Sequence, residues 1–458
     1  MFDIMHKMLK KALESCDQAE IYGEKGDVLS VDLEREEVKK VKHVKSTGIG
    51  VRVVISNKVG FSYTTALEKA RIEDCVMHAI KQAKVSEQDP HFHALPASVL
   101  EGSKRSYTHI EKTFDPRITE LLEGGGEDAI EYCTVMLNGA KQYEARKGVT
   151  CSPTEGSFAA AHDETYILNS EGIEISNTGT YVSAGIMVVA GTGGGSSEET
   201  SGWEGKVSRM LREIDFEWIG REAVKIAADS LGGKKLKTKQ IPIVFSPRAV
   251  QSLLAHILIP QLSAENVQRK QSPYHGKKGE EVASETLTII DDGTMPLGVN
   301  SRKMDGEGVP SQSTCLVEKG VLKNFLYDTY TAGKDGVEST GNAIRSFSNL
   351  PTPGATNFII NAISKASKEE MFSEIHEGLF INDIIGAHTA SRASGDFSVV
   401  AQNAFGIEKG ELYPVTQVML AGNMQEVLKH VEMLGTDTRQ IYNVVSPSIK
   451  VSKVQVIS

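Results

Sequence analysis

Cysteine is scarce in this chain: five residues among 458, at positions 16, 75, 133, 151 and 315. They are odd in number and far apart, so they form neither the CxxC pairs of a zinc knuckle nor the dense framework of a disulfide scaffold. A reduced, cytoplasmic setting is the expectation. The chain also has no uninterrupted apolar run of the ~18–20 residues that a bilayer-spanning helix needs. Positive charge is in deficit, with 50 Lys+Arg against 60 Asp+Glu and a net charge of −10. Binding to a phosphate backbone needs a concentrated positive face, so nucleic acid is not expected as a partner. The lysine-dense stretch Lys234-Lys235-Leu236-Lys237-Thr238-Lys239 sits between a helical and a strand pattern and reads as a solvated connection. Met1-Phe2-Asp3-Ile4-Met5-His6-Lys7 enters an amphipathic helix rather than the basic-then-apolar pattern of an export signal.

Familiar catalytic signatures are missing too. Gly191-Thr192-Gly193-Gly194-Gly195-Ser196 is glycine-rich, but no Lys-Ser/Thr opens a helix after it, so a flexible loop is expected instead of a phosphate cradle. No GxGxxG follows a strand and no GxSxG elbow occurs, which removes the usual marks of dinucleotide and α/β-hydrolase chemistry. Zinc peptidases set two histidines on one helix face beside a glutamate base. His376-Glu377 has no second histidine four or five positions on, and it reads as a loop before a strand. His91-Phe92-His93, between Pro90 and Pro96, reads as a solvated linker.

What is present is a soluble globular composition, 40% hydrophobic, with room for two to four domains at ~100–200 residues each. Met5, Met8, Leu9, Ala12 and Leu13 recur at helical spacing. Leu29, Val31 and Leu33 then alternate with polar residues, and Val51–Ile55 and Val59–Tyr63 flank the turn-like Ser56-Asn57-Lys58, which predicts a hairpin. Leu67, Ile72, Cys75, Val76, Ala79, Ile80 and Ala83 restore the helical period, and residues 86–96 read as a linker. Asp115-Pro116 is a cap followed by a good first helical residue, and Gly124-Gly125-Gly126 breaks that helix before Ala129 to Ala140 resume the period. Lys147 to Val189 reads as an antiparallel meander of short strands with a turn at Asn169-Ser170-Glu171-Gly172. A helix from Asp215 to about Leu231 is closed by Gly232-Gly233. Ile241–Phe245 is strand-like, Ser246-Pro247 starts a helix, and Pro260 stops or kinks it. Turns are expected at Glu318-Lys319-Gly320 and Glu408-Lys409-Gly410, with a final helix from Met424 to Leu434. The fold class is α+β, with mixed and antiparallel sheets and packed helices. Three segments are expected: an α+β unit at 1–95, a helix and meander region at 96–212, and a large β-rich core at 213–458.

Several segments together resemble the TldD/PmbA family, long named "modulator of DNA gyrase" and associated with metal-dependent proteolysis. They are Gly48-Ile49-Gly50-Val51-Arg52-Val53 with Gly60-Phe61-Ser62-Tyr63, then Phe245-Ser246-Pro247-Arg248-Ala249, then Gly320-Val321-Leu322-Lys323-Asn324-Phe325-Leu326-Tyr327-Asp328. More specific are Ser394-Gly395-Asp396-Phe397-Ser398 and the stretch from Tyr413-Pro414-Val415 to Gly422-Asn423-Met424. One branch of the family carries an HExxxH helix and a late cysteine as metal ligands; the PmbA/TldE branch lacks them and partners the first. Here the corresponding helix reads Gln251-Ser252-Leu253-Leu254-Ala255-His256-Ile257-Leu258-Ile259-Pro260-Gln261, with isoleucine in place of the base and glutamine in place of the second histidine. No cysteine follows Cys315. The chain therefore resembles the PmbA/TldE branch.

That resemblance implies a chain with no catalytic or metal-binding residues of its own, and no cofactor. It would be one subunit of a TldD/TldE-type metallopeptidase complex whose zinc sits in a TldD-like partner. The partner is that metal-bearing subunit or a second copy of this chain, and the substrates are unfolded or short peptides. It also tilts Ser394, Gly395, Asp396 and Phe397 toward a peptide groove, although a carboxylate flanked by glycine equally caps a turn. His256, alone on an apolar helix, reads as a hydrogen-bonded core or interface residue. Two other readings stay open. One is an autonomous metallopeptidase in which His256 joins His275 or His388 on a metal; the other is a protein-binding regulator of DNA gyrase.

Overall fold

The computed structural model describes residues 1–98, 106–192, 198–362 and 365–458. Gly193–Ser196, expected as a flexible loop, lies outside the described residues. The chain is α+β. Its first half is one antiparallel six-stranded sheet in the order β3-β2-β1-β4-β5-β6, formed by β1 (Gln18–Glu34), β2 (Glu37–Ile55), β3 (Lys58–Thr64), β4 (Val149–Asn169), β5 (Glu174–Thr192) and β6 (Glu199–Ser208). Strands from both of the first two expected segments share this sheet, and position 95 falls in the connection between β3 and β4. Its helices are α1 (Phe2–Leu13), α2 (Lys69–Val85), α3 (Pro116–Glu123), α4 (Glu127–Gln142) and α5 (Phe216–Asp229).

Local signals explain many boundaries. The β2–β3 hairpin turns at Ser56 and Asn57, whose φ values of 49° and 60° are the two left-handed positions of the tightest hairpin. Asp115 accepts the Arg117 N–H at the start of α3, and Gly125 and Gly126, both at positive φ, separate α3 from α4. Leu29, Val31 and Leu33 point alternately inward against Ile118, Leu122 and Met136. The meander differs from expectation: β4 and β5 are not short but run 21 and 19 residues. Their Ala159, Ala161 and Ser183 are small and only partly buried, so they blur the apolar alternation by which a long strand is recognised. α4 and α5 meet backbone to backbone: a Cβ added at Gly220 would lie 1.9 Å from the Met136 carbonyl oxygen, and one at Gly139 would lie 2.1 Å from that of Glu217.

The second half is built on a barrel. β7 (Lys239–Phe245) pairs in parallel with Glu377–Ile385 and antiparallel with Ile449–Ile457. Those two strands are joined through Asp396–Glu408 and Val418–Asn423, so the five strands close on themselves. Closure leaves no edge within the ring and encloses Ile243, Phe245, Leu379, Ile381, Val399, Leu420 and Val451 in one apolar core. The helix expected from Met424 to Leu434 ends at Lys429, and Val431–Gly435 is a strand on Ile449–Val451. Ladder pairing and the burial of Val431 and Leu434 override the helical period there.

The two halves meet on one face of the first sheet. Phe347 lies against Gly48 and Gly50, where added Cβ atoms would fall within 2.4 Å of it. Buried charges cross the seam. Arg52 donates to Glu20 (2.9 Å) and to Glu307 (3.0 Å), and Arg345 donates to Glu20. Nearby, burial and the charge of Glu307 push the Asp305 carboxyl up to about 7, and the same two causes push Asp328 up to about 6. A carboxyl raised above its unfolded value of about 3.9 binds more protons in the folded state. Its contribution is complete at low pH and is lost as pH rises through the folded pKa. The urea midpoint should therefore fall from about pH 4.5 to about pH 7 and level off above that, and Asp305→Asn should flatten the fall. A midpoint that is flat or rising over this range in the unsubstituted chain would contradict the assignment.

Candidate functional site

Ser246 caps α6 (Pro247–Leu253), accepting from the N–H groups of Arg248 and Ala249, while its hydroxyl donates to the Asn382 carbonyl on the barrel. The helix then widens into a π turn over Leu254–Leu258 before Ile259–Gln261 finishes it. Pro260 accounts for the change. It has no N–H to offer the His256 carbonyl, and its ring crowds that carbonyl in a regular α-helix. Widening to an i→i+5 pattern relieves the conflict.

The π turn bears directly on spacing. At 3.6 residues per turn, side chains five apart diverge by about 140°, whereas an i→i+5 turn brings them back to one side. His256 and Gln261 are five apart, and both meet the same segment. The His256 ring stands edge-on to His388, with centroids 6.3 Å apart. Gln261 donates its side-chain N–H to the Arg392 carbonyl (2.8 Å) and accepts from the Gln425 amide (2.8 Å). Partial burial, with His388 and Arg392 nearby, holds the His256 pKa below the usual imidazole value.

The structure brings Ser394, Gly395 and Asp396 into this cluster. Gly395, at φ +83°, passes so close to Gln425 that a Cβ there would lie 2.2 Å from its side-chain oxygen. Asp396 accepts from Asn423 (2.8 Å) and from the Ser394 hydroxyl (2.7 Å), and these two bonds hold its carboxyl below the usual range, as an exposed anion. Both partners of the Asp396 carboxylate are side chains, and its charge faces solvent. Phe397 is placed differently: its ring is buried in the barrel core against Gly422. Asn423, Gln425 and Arg392 were not picked out from sequence. Asn423 was the findable one, because an asparagine before Met424 is a helix cap, and it accepts from the N–H groups of Gln425 and Glu426.

These residues do not fit a zinc centre. Among the described residues no three His, Cys, Asp or Glu side chains converge as a metal site needs. The positions that an HExxxH helix would fill hold Ile257 and a Gln261 whose amide is engaged on both sides. His275 is committed to the Val267 carbonyl (3.0 Å) and does not join His256. No helix among the described residues is long and apolar enough to cross a membrane.

Comparison with known proteins agrees with this architecture. Residues 19–83, 125–231 and 238–458 match, in order, domain 1, the central domain and the C-terminal domain of the PmbA/TldA metallopeptidases. An uncharacterized protein of Methanocaldococcus jannaschii is 34% identical across 97% of this chain and 98% of its own length. Metalloprotease PmbA of Escherichia coli is 25% identical over 99% of this chain and 96% of its own. The crystal structure of TldE from Thermococcus kodakarensis superposes with a TM-score of 0.87 at 25% identity, covering 99% of this chain and all of that one. From its three domains in sequence order to its fold, this chain belongs to the PmbA/TldD metallopeptidase family.

Proposed function

We propose that this chain is the non-catalytic, metal-free subunit of a TldD/TldE-type peptidase complex acting on unfolded or short peptides. The observation that carries the reading is the π turn that keeps the five-residue spacing of a metal helix while Ile257 and Gln261 stand at its base and ligand positions. Gln261 there bonds to the Arg392 carbonyl and to Gln425, so the position ties the helix to the segment around Ser394–Asp396, which supports the reading. Exposed Asp396 and Ser394, positioned by Gly395 and by the packing of Phe397, would line the peptide path. The partner, a TldD-like chain or a second copy, would complete the complex. In the mixed complex that chain would supply zinc and the water it activates.

Metal content of the purified chain, after zinc exposure and removal of weakly held ions, tests this. The expected result is no retained zinc, with peptide hydrolysis only when a relative bearing an intact HExxxH helix is added. His256→Ala should leave that mixed activity within about twofold, and Asp396→Ala should raise its KM several-fold. About one zinc per chain, lost in His256→Ala, would instead make this chain an enzyme in its own right.

A further inference from the structure

β2 has a free edge. It pairs with β1 from Glu37 to Val54 except for a bulge at Lys39, but with β3 only from Ile49 onward. From Lys40 to Thr47 its outer N–H and C=O groups make no hydrogen bond to any other element among the described residues. Lys40 to Ser46 are exposed on both faces. At about 3.3 Å per residue this edge is some 26 Å long, and it pairs with β1 without a bulge and contains no proline.

Its chemistry is distinctive. Lys39-Lys40-Val41-Lys42-His43-Val44-Lys45 holds four lysines and no acid, in a chain of net charge −10. Lys39 is paired with Glu34, and Lys45 and His43 share Asp27, whereas Lys40 and Lys42 have no ion-pair partner among the described residues. Exposed lysines on an edge ordinarily deter unwanted pairing. Here they deter selectively. A second copy would bring lysines against lysines, which is unfavourable across paired strands, while an acidic strand would meet charges of opposite sign. Val41, exposed on the opposite face of the strand from Lys40 and Lys42, offers an apolar contact to the residues between the acids.

We propose that the β2 edge from Lys40 to Thr47 docks an extended, acidic segment of a polypeptide partner by strand addition. The incoming strand would carry acids at alternate positions opposite Lys40 and Lys42 and β-branched residues between, with affinity from main-chain bonds and selectivity from charge. The edge shares no residue with the π-turn site, so this inference stands whether or not the peptidase reading does.

The probe is a fluorescein-labelled peptide of alternating Glu and Thr, titrated into the full chain and followed by anisotropy and by amide hydrogen exchange. The expected result is saturable binding that weakens with salt and slows exchange about tenfold at alternate amides of Lys40–Thr47. The double variant Lys40→Glu/Lys42→Glu should bind at least about tenfold more weakly with an unchanged urea midpoint, and an alternating Lys and Thr peptide should not bind. Binding without slowed exchange at these amides would mean charge attraction alone and would overturn strand addition. Displacement of the peptide by a short DNA duplex at lower concentration than by unlabelled peptide would overturn the acidic polypeptide as occupant.

Discussion

Replacing Glu20 by glutamine should lower the free energy of unfolding by about 3–5 kcal/mol, the range for breaking a buried ion pair from one side. Glu20 is fully buried, as is the Arg345 side chain, and Arg52 is nearly so. Burial alone would raise the Glu20 pKa, but Arg52 and Arg345 outweigh it and keep the group ionised below the usual carboxylate range. The substitution removes one negative charge, leaving Arg52 paired with Glu307 and Arg345 without the carboxylate it is paired with. The loss should come from the orphaned cation. Glu20→Gln combined with Arg345→Met should therefore recover part of it, a coupling readable from a double-mutant cycle in urea. A single-variant loss under about 1 kcal/mol would mean that water reaches the seam and that the two halves are not locked together through these charges.

Gly220→Ala should also destabilise the chain, by about 3 kcal/mol, the upper end of ordinary overpacking. Helix propensity points the other way, because alanine gains about 1 kcal/mol over glycine in a helix interior. Packing decides the sign. The added carbon at Gly220 meets backbone atoms of Met136 and Ala140, not the end of a flexible side chain, so α4 and α5 must separate. Both helices bury their faces against the sheet beside Ala160, Val182 and Ile186, and separation opens that core. Equal or higher stability in urea would show that the helices are not in backbone contact.

What could be read from sequence was what a few neighbouring residues decide. Asp115 and Ser246 as caps, Ser56-Asn57 as a hairpin turn and the glycine break before α4 each depend on local dihedrals and local hydrogen bonds. Barrel closure could not be read this way, because β7 finds Ile449–Ile457 far along the chain. Nor could the Glu20–Arg52–Glu307–Arg345 cluster, whose members look like ordinary surface charges until the seam forms around them. At the candidate site, the missing base and missing histidine were visible as Ile257 and Gln261. The π turn was not, since Pro260 predicts a stop or a kink with equal force. Phe397 was grouped with its neighbours by motif, yet strand alternation at Asp396–Ser398 turns it inward while they face out.

Barrel closure also sets a clock. β7 cannot complete its antiparallel pairing until Ile449–Ile457 exists, about 200 positions later. At 5–20 residues per second of synthesis, that edge waits roughly 10–40 s without its partner strand. During that interval the nascent chain exposes an apolar strand able to pair with its neighbours on other ribosomes, so the yield of folded protein should depend on elongation rate and on chaperones that shield β7.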